Sequence, residues 1–160
     1  MPRARLTVDL PVSCDAAFAV IHDYSCRLEW DTLLRSARLL GGATQAELGV
    51  RSVCAGTWRT AFLALETEYI HFAPGRAAAV KLTTRPWCFD RFAASMQHHA
   101  LGAARSRLVY TYAFRARPRW LAPVVEPLMS RLLQRETRKR SWALRAYLER
   151  PERRRCGIPT

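Results

Sequence analysis

Two charged residues near the end of the chain, Glu136 and Arg140, have the spacing at which a carboxylate and a guanidinium on one helix can form an ion pair. Glu136 falls among apolar residues that recur at helical spacing, where an unpaired carboxylate is costly. In one interpretation, the two residues form the polar base of a ligand cavity and bind the carbonyl, hydroxyl or carboxylate of a ligand. The other is a structural ion pair, or a Glu136 that meets water. The residues alone leave both interpretations open.

Tyrosine and histidine supply further groups that could act on a ligand. Alternation along a strand places Leu108, Tyr110, Tyr112 and Phe114 on one face. This bulky aromatic set is the better choice for an inward face, and its phenols could present hydroxyls to a ligand. His98 could act as a general acid or base beside Tyr112, but an ordinary hydrogen-bonded histidine is the simpler interpretation.

Short motifs with an established chemistry are absent from the sequence. It contains no GxGxxG, GxxxxGK[ST], GxSxG or HExxH. Adjacent residues of a strand point to opposite faces, so His98 and His99 cannot bind one metal ion without a bulge. We therefore expect no metal site and no cofactor. The cysteines are odd in number and widely spaced, and we expect free buried thiols in a reducing compartment.

The elements that would position these residues follow from the periodicity of the sequence. Residues 3–10 alternate as a half-buried strand, Ser13 is placed to cap a helix, and a second short helix is expected within 26–34. Turn signals then separate segments typical of an antiparallel meander. These predicted strands are 35–40, 50–55, 60–72, 76–84, 89–98 and 107–115.

A long helical pattern from about residue 120 to 150 has two different faces. The apolar face contains Val125, Leu128, Leu132, Ala143 and Tyr147. The opposite face contains Arg131, Arg135, Arg138, Trp142, Arg145 and Glu149. Such a basic face with a tryptophan is typical of a helix that docks on an anionic membrane, and equally of a solvated surface.

The net charge of +13 is concentrated in the same part of the chain. Residues 115–155 contain 13 Lys and Arg against 4 Asp and Glu, a net charge of +9. A nucleic-acid partner is disfavoured because no nucleic-acid-binding motif accompanies the basic face. The tail, 151–160, lacks periodicity and is expected to be disordered. No signal-like or membrane-spanning segment is seen, which predicts a soluble cytoplasmic protein.

Three stretches resemble the START-like superfamily, also called SRPBCC, which includes polyketide cyclase/dehydrase-like and lipid-transfer proteins. They are VSCDAAFAVIHDYSCRLEW, ETEYIHFAPGR and RETRKRSWALRAYLE. The resemblance implies one α+β domain over residues 1–150 with the helix-grip fold. In that fold a curved antiparallel sheet of about seven strands, in the order β-α-α-β6-α, wraps a long C-terminal helix and leaves an internal apolar cavity.

The resemblance also extends the set of candidate cavity residues. It places Ile70 and Phe72 inward, and Glu66 and Glu68 would share their face if no bulge intervenes. Leu128 and Leu132 would face the cavity from the helix. Two tryptophans near turns could line its entrance or cover the edge of the sheet: Trp58 and Trp87.

These features predict a carrier or sensor of a hydrophobic small molecule, such as a lipid, an isoprenoid or a polyketide-like compound. One alternative is a cyclase/aromatase-like enzyme that moves protons with cavity side chains. The candidate residues for that chemistry are Tyr110, Tyr112, Glu136, Arg140 and His98. The other alternative, docking on an anionic membrane, is compatible with a lipid carrier.

Overall fold

The protein has the α+β helix-grip architecture that the sequence predicts. The computed structural model describes residues 1–57, 64–84 and 86–150. Its elements are β1 (Arg3–Leu10), α1 (Cys14–His22), α2 (Arg27–Trp30), β2 (Leu34–Leu39), β3 (Arg51–Gly56), β4 (Leu65–Ala73), β5 (Ala77–Leu82), β6 (Phe89–Gly102), β7 (Arg105–Ala116) and α3 (Ala122–Leu148). Trp58 and the tail over 151–160 lie outside the described residues.

One curled antiparallel sheet contains seven strands within the described residues, in the spatial order β1-β7-β6-β5-β4-β3-β2. The strands from β2 to β7 follow one another as a meander, and β1 pairs with β7 over its whole length. The long helix α3 packs against β1 and β7, and α1 packs against β6 and β7. The sheet therefore forms a half-barrel whose inner side is covered by helices.

The start of α1 shows how local sequence sets the geometry. Ser13 caps the helix as predicted, and its hydroxyl accepts a hydrogen bond from the Ala16 N–H at 3.3 Å. The β4–β5 turn packs against this first turn through Gly75, which has a φ of 69°. A Cβ at Gly75 would meet the Asp15 carboxylate, which can move aside because that side chain is exposed, so it is the positive φ that requires glycine.

A bulge in β4 decides which side chains of that strand face inward. The pairing of β4 with β5 shifts register between Tyr69 and His71. Before the shift, Leu65, Thr67 and Tyr69 are buried; after it, Phe72 returns to the inner side and packs edge-on against Tyr69. The alternation predicted without a bulge therefore fails over this strand.

The buried face of α3 differs from the predicted apolar stripe. Its buried residues are Met129, Leu133, Glu136, Thr137, Ser141, Leu144, Tyr147 and Leu148. Leu128 is instead 69% exposed, so the inward face is turned by roughly one residue step of about 100° from the prediction. The prediction placed only apolar residues on the buried face, but polar residues also lie there. Ser141 can be buried because its hydroxyl donates a hydrogen bond to the Thr137 carbonyl at 2.8 Å.

Two main groups of side chains form the core. One lies between α3 and the middle of the sheet and contains the fully buried Phe89 and Phe114, whose rings meet edge to face at 5.7 Å. The other joins α1, α2 and the end of α3, where the Tyr147 hydroxyl donates to Glu29 at 2.9 Å. Cys14, Cys54 and Cys88 are free thiols as expected, but Cys26 is disulfide-bonded, so the expectation of free thiols throughout was wrong.

Candidate functional site

A pocket of about 120 Å³ lies between the inner side of the sheet and α3. On this scale a water molecule needs about 10–15 Å³, so the pocket has room for part of a small organic molecule. Its apolar lining consists of Leu33, Leu34, Leu65, Ala78, Val80, Phe92, Ala94, Met96 and Leu133. Its polar and amphipathic lining consists of His22, Tyr24, Arg27, Ser52, Cys54, Thr67, Tyr69, Tyr110, Tyr112, Thr137 and Arg140.

Two of these lining residues, Arg27 and Arg140, belong to a buried ion triad with Asp31. Asp31, whose side chain has 0% exposure, accepts from Arg27 Nε at 2.9 Å through Oδ2. Arg140 Nη2 reaches the same oxygen at 2.8 Å, and its side chain is only 12% exposed. Burial alone would lower the pKa of Arg27, but the Asp31 charge holds that pKa above its ordinary value. The triad therefore joins two guanidinium groups to one carboxylate, a formal net charge of +1.

Aromatic rings and backbone groups hold the triad in place. Arg27 lies over the Trp30 ring at 4.8 Å, and Arg140 lies over the same ring at 5.7 Å and over Tyr110 at 5.6 Å. Arg27 also donates Nη1 to the Ile21 carbonyl. The other Asp31 oxygen accepts from the Leu33 N–H at 3.3 Å.

Hydroxyl groups in the pocket are mostly paired with one another. Tyr24 and Tyr69 share a hydrogen bond between their hydroxyls at 3.1 Å. Ser52 and Thr67, which are cross-strand partners, do the same at 3.2 Å. The buried hydroxyl of Tyr112 has no hydrogen-bond partner within the described ranges, and burial raises its pKa to about 12. The Tyr112 phenol is therefore neutral at physiological pH.

His22 is the pocket histidine, a role that the sequence did not indicate. Its Nδ1 lies 2.9 Å from the Phe18 carbonyl, and its ring stacks on Phe18 at 4.1 Å. A carbonyl can only accept, so Nδ1 carries the proton and Nε2 is left as an acceptor. Burial lowers the pKa of His22 to about 3, which makes the ring neutral.

Of the residues predicted to line a cavity, Tyr110, Tyr112 and Arg140 line the pocket. Phe114 is fully buried in the core instead. Phe72 packs beside the pocket against His22, with ring centroids 5.3 Å apart.

The rest of the predicted β4 set does not reach the pocket. Ile70 is 46% exposed, so its inward assignment was wrong. Glu66 and Glu68 lie on the outer side of the sheet, where they pair with Arg51 at 3.2 Å and Lys81 at 3.7 Å. The bulge after Tyr69 explains all three errors, because it separates their face from that of Phe72.

The predicted Glu136–Arg140 pair does not form. Glu136 is buried at the margin of α3 and bonds Lys139 at 2.8 Å, while Arg140 extends to Asp31. Asp31 is the deeper carboxylate and gains more from a guanidinium than Glu136 does, because it has no contact with solvent. Neither Glu136 nor Leu132 lines the pocket, whereas Leu133 does.

His98 is not beside Tyr112. In the β6–β7 ladder His98 pairs with Leu108 and Tyr112 pairs with Ala94, a separation of four residues, or roughly 13 Å. His98 is buried against Phe18 at 5.6 Å between ring centroids, and burial lowers its pKa to about 4. Neither ring nitrogen has a hydrogen-bond partner among the residues described. Trp87 is 76% exposed and does not contribute to the pocket.

The outer face of α3 carries the predicted basic residues and additional apolar ones. Arg131, Arg135 and Arg138 are exposed, and Trp142 is 63% exposed, with the Arg145 guanidinium 5.8 Å from its ring. Helical spacing continues this face toward the start of α3 through exposed residues. These are Leu128 and Val124, with Trp120 just before the helix.

Two further observations concern the described part of the chain. No helix there is long and apolar enough to cross a membrane. No cluster of three or more His, Cys, Asp or Glu side chains in those ranges could hold a metal ion. Residues that sequence reasoning missed include Arg27 and His22, although the four-residue spacing of Arg27 and Asp31 beside Trp30 could have indicated the ion pair.

Comparison with known proteins agrees with the fold. A family model described as polyketide cyclase / dehydrase and lipid transport matches residues 1–149. No curated protein matches the sequence.

Solved structures with the same fold have low sequence identity to this chain. The Zhui aromatase/cyclase from Streptomyces sp. R1128 has a TM-score of 0.75 and 15% identity, with coverage of 98% of this chain and 99% of its own. A START superfamily protein from Mycobacterium smegmatis has a TM-score of 0.74 and 13% identity over 92% and 97% of the two chains. The di-domain ARO/CYC BexL from the BE-7585A biosynthetic pathway has a TM-score of 0.73 and 12% identity over 93% of this chain and 47% of its own.

Proposed function

This chain belongs to the polyketide cyclase/dehydrase and lipid transport family, and from that premise we propose that it binds a hydrophobic small molecule as a carrier or sensor. The single observation that carries the proposal is the pocket between the sheet and α3, whose accessible surface is mainly apolar. Each 100 Å² of apolar ligand surface removed from water contributes about 2.5 kcal/mol, or roughly 70-fold in the dissociation constant. Such binding needs no reacting group.

The pKa values of the pocket residues favour binding over catalysis. A general acid or base is most effective when its pKa lies near the working pH. Burial lowers the pKa of His22 to about 3 and raises that of Tyr112 to about 12, so both are poorly matched to proton transfer at neutral pH. The cyclase/aromatase alternative keeps Arg140, Tyr110 and Tyr112 in the pocket but lacks Glu136 and His98 there.

Filling the pocket should weaken the binding of an apolar molecule. Ala94 lines the pocket from β6, and an Ala94→Phe side chain would occupy the space of a ligand. Isothermal titration with 2-naphthol should show binding weakened roughly tenfold or more, because 50–60 Å² of lost apolar contact is worth about 1.4 kcal/mol.

The neighbouring residue provides a matched control for that variant. Ala93 lies on the opposite face of β6 and is not a pocket residue, so Ala93→Phe should leave the 2-naphthol affinity unchanged. Equal affinities in wild type and Ala94→Phe would show that the probe binds elsewhere, and wild type that binds no apolar probe would contradict the proposed function.

A second function, docking on an anionic membrane, is supported by the outer face of α3. Arg131, Arg135 and Arg138 would meet anionic headgroups, and Trp142 would lie at the interface. The exposed Leu128 and the neighbouring apolar residues continue that face, and could enter the boundary with the acyl chains. Such docking would suit a carrier that loads from a bilayer.

Vesicle flotation tests this surface. Wild type should float with phosphatidylcholine vesicles that contain phosphatidylserine and stay behind with phosphatidylcholine alone. Replacing Arg131, Arg135 and Arg138 with Gln should reduce flotation by at least about tenfold, since each basic residue near the surface is worth about 1 kcal/mol.

A second triple variant controls for lost net charge. Arg35, Arg38 and Arg76 are exposed on β2 and in the β4–β5 turn, away from α3. Their replacement with Gln removes the same charge and should leave most of the flotation intact. An equal loss in the two triple variants would point to net charge alone, and no flotation of wild type would exclude the docking function.

A further inference from the structure

The polar part of the pocket has an excess of positive charge that no described residue neutralises. Arg27 and Arg140 both line the pocket, and both use the same Asp31 oxygen, at 2.9 and 2.8 Å. No carboxylate belongs to the described pocket lining, and Asp31 lies behind the two guanidiniums. The pocket wall therefore presents two cations that share one anion.

The other titratable groups in the wall do not change this balance. His22 is neutral because burial lowers its pKa to about 3. Burial raises the pKa of Tyr69, Tyr110 and Cys54, which keeps these side chains protonated and uncharged. These four groups therefore add no charge of their own to the pocket wall at neutral pH.

Arg140 has the hydrogen-bonding capacity to receive a further anion. A guanidinium has five N–H donors in a planar fork that matches a carboxylate. Asp31 takes one contact through Nη2, and the guanidinium carbon of Arg140 lies 5.7 Å from the ring centre of Trp30 and 5.6 Å from that of Tyr110. Arg27 is more constrained, because Nε bonds Asp31 and Nη1 bonds the Ile21 carbonyl.

Apolar side chains complete the recognition surface. Phe92, Val80 and Leu133 line the same pocket, so a molecule that fills it meets both the charged and the apolar parts of the wall. An ionised group on that molecule would offset the cost of the buried positive charge, while its apolar body would leave water.

Building on the proposed ligand-binding function, we infer that the pocket selects apolar molecules that end in an ionised carboxylate, which Arg140 binds with the support of Arg27. The carboxylate is the counter-ion that the triad lacks. Neutral molecules of the same shape, including alcohols, amides and esters, bind more weakly because they leave the net charge uncompensated.

Matched acid and amide pairs test this inference at pH 7.5. We would titrate the protein calorimetrically with decanoate and decanamide, and with 2-naphthoate and 2-naphthamide. The acid of each pair should bind roughly tenfold or more tightly, because hydrogen bonds to charged groups exceed neutral ones by about 1–2 kcal/mol.

Variants of Arg140 show whether the preference comes from the triad. Arg140→Gln leaves the neutral Arg27–Asp31 pair and should remove the preference for the acid, so that acid and amide bind with similar affinities. Arg140→Lys keeps the charge and should retain part of the preference. Arg138→Gln, on the exposed outer face of α3, should behave as wild type.

The outcomes separate this inference from the function on which it rests. Equal binding of acid and amide to wild type would overturn the inference and leave the proposed function standing. A preference for the acid that persists in Arg140→Gln would also overturn it, since a group other than Arg140 would then bind the ligand carboxylate. If the protein bound none of the four compounds, the inference and the proposed function would both be overturned, because a pocket with this lining should bind at least one apolar molecule.

Discussion

Replacing Asp31 with asparagine is expected to lower the free energy of unfolding by about 3–5 kcal/mol, because removal of one partner leaves buried charge uncompensated. The Asp31 side chain has 0% exposure and serves two guanidiniums, those of Arg27 and Arg140. Asparagine preserves the shape and can still accept a hydrogen bond. The decrease in the free energy of unfolding therefore comes from the missing negative charge. Urea denaturation followed by circular dichroism measures it.

A second aspartate provides the matched control. Asp9 also pairs with an arginine, Arg107, at 2.7 Å, but both side chains are well exposed, at 37% and 44%. Water and salt screen such a pair, so Asp9→Asn should shift the urea midpoint only slightly. Comparable losses in the two variants would show that burial of the triad contributes nothing special to stability.

Replacing Phe114 with alanine is expected to cost about 3–5 kcal/mol, the range for a large aromatic removed from a close-packed core. Phe114 has 0% exposure, and its ring meets Phe89 edge to face at 5.7 Å. The deleted ring would leave a cavity between the sheet and α3 that the rigid strands cannot close. Urea midpoints again provide the measurement.

Phe92 is the natural comparison because it is directly opposite Phe114 in the β6–β7 ladder. It is only half-buried and lines the pocket. Phe92→Ala should therefore cost less than half as much stability and should change the affinity for 2-naphthol, which Phe114→Ala should leave unchanged. A reversed pattern would mean that Phe114 is the ligand contact and Phe92 the core residue.

Much of the fold could be predicted from sequence because it depends on local periodicity. The alternation over β1, the Ser13 cap and the turn signals between strands each depend on a few neighbouring residues. The resemblance to START-like proteins then supplied the architecture that joins these elements, which periodicity alone does not determine.

The pocket was harder to predict because its residues come from distant parts of the chain. Tyr110 and Tyr112 were found, since aromatic residues on alternate positions indicate an inner face. Arg27 and His22 were missed: the spacing of Arg27 and Asp31 could have indicated an ion pair, but it does not show that either helix contributes to a pocket. The sequence left two interpretations of Glu136 open; in the structure it pairs with Lys139 and is not among the described pocket residues.

By itself, the sequence determined the identity and order of the elements, the basic outer face of α3 and the presence of an amphipathic last helix. Tertiary structure alone decided the rotation of α3, the bulge after Tyr69 and the choice of Asp31 as the partner of Arg140. The physical reason is that local preferences act between near neighbours. Pairing of a buried charge depends instead on which groups the folded chain removes from water together.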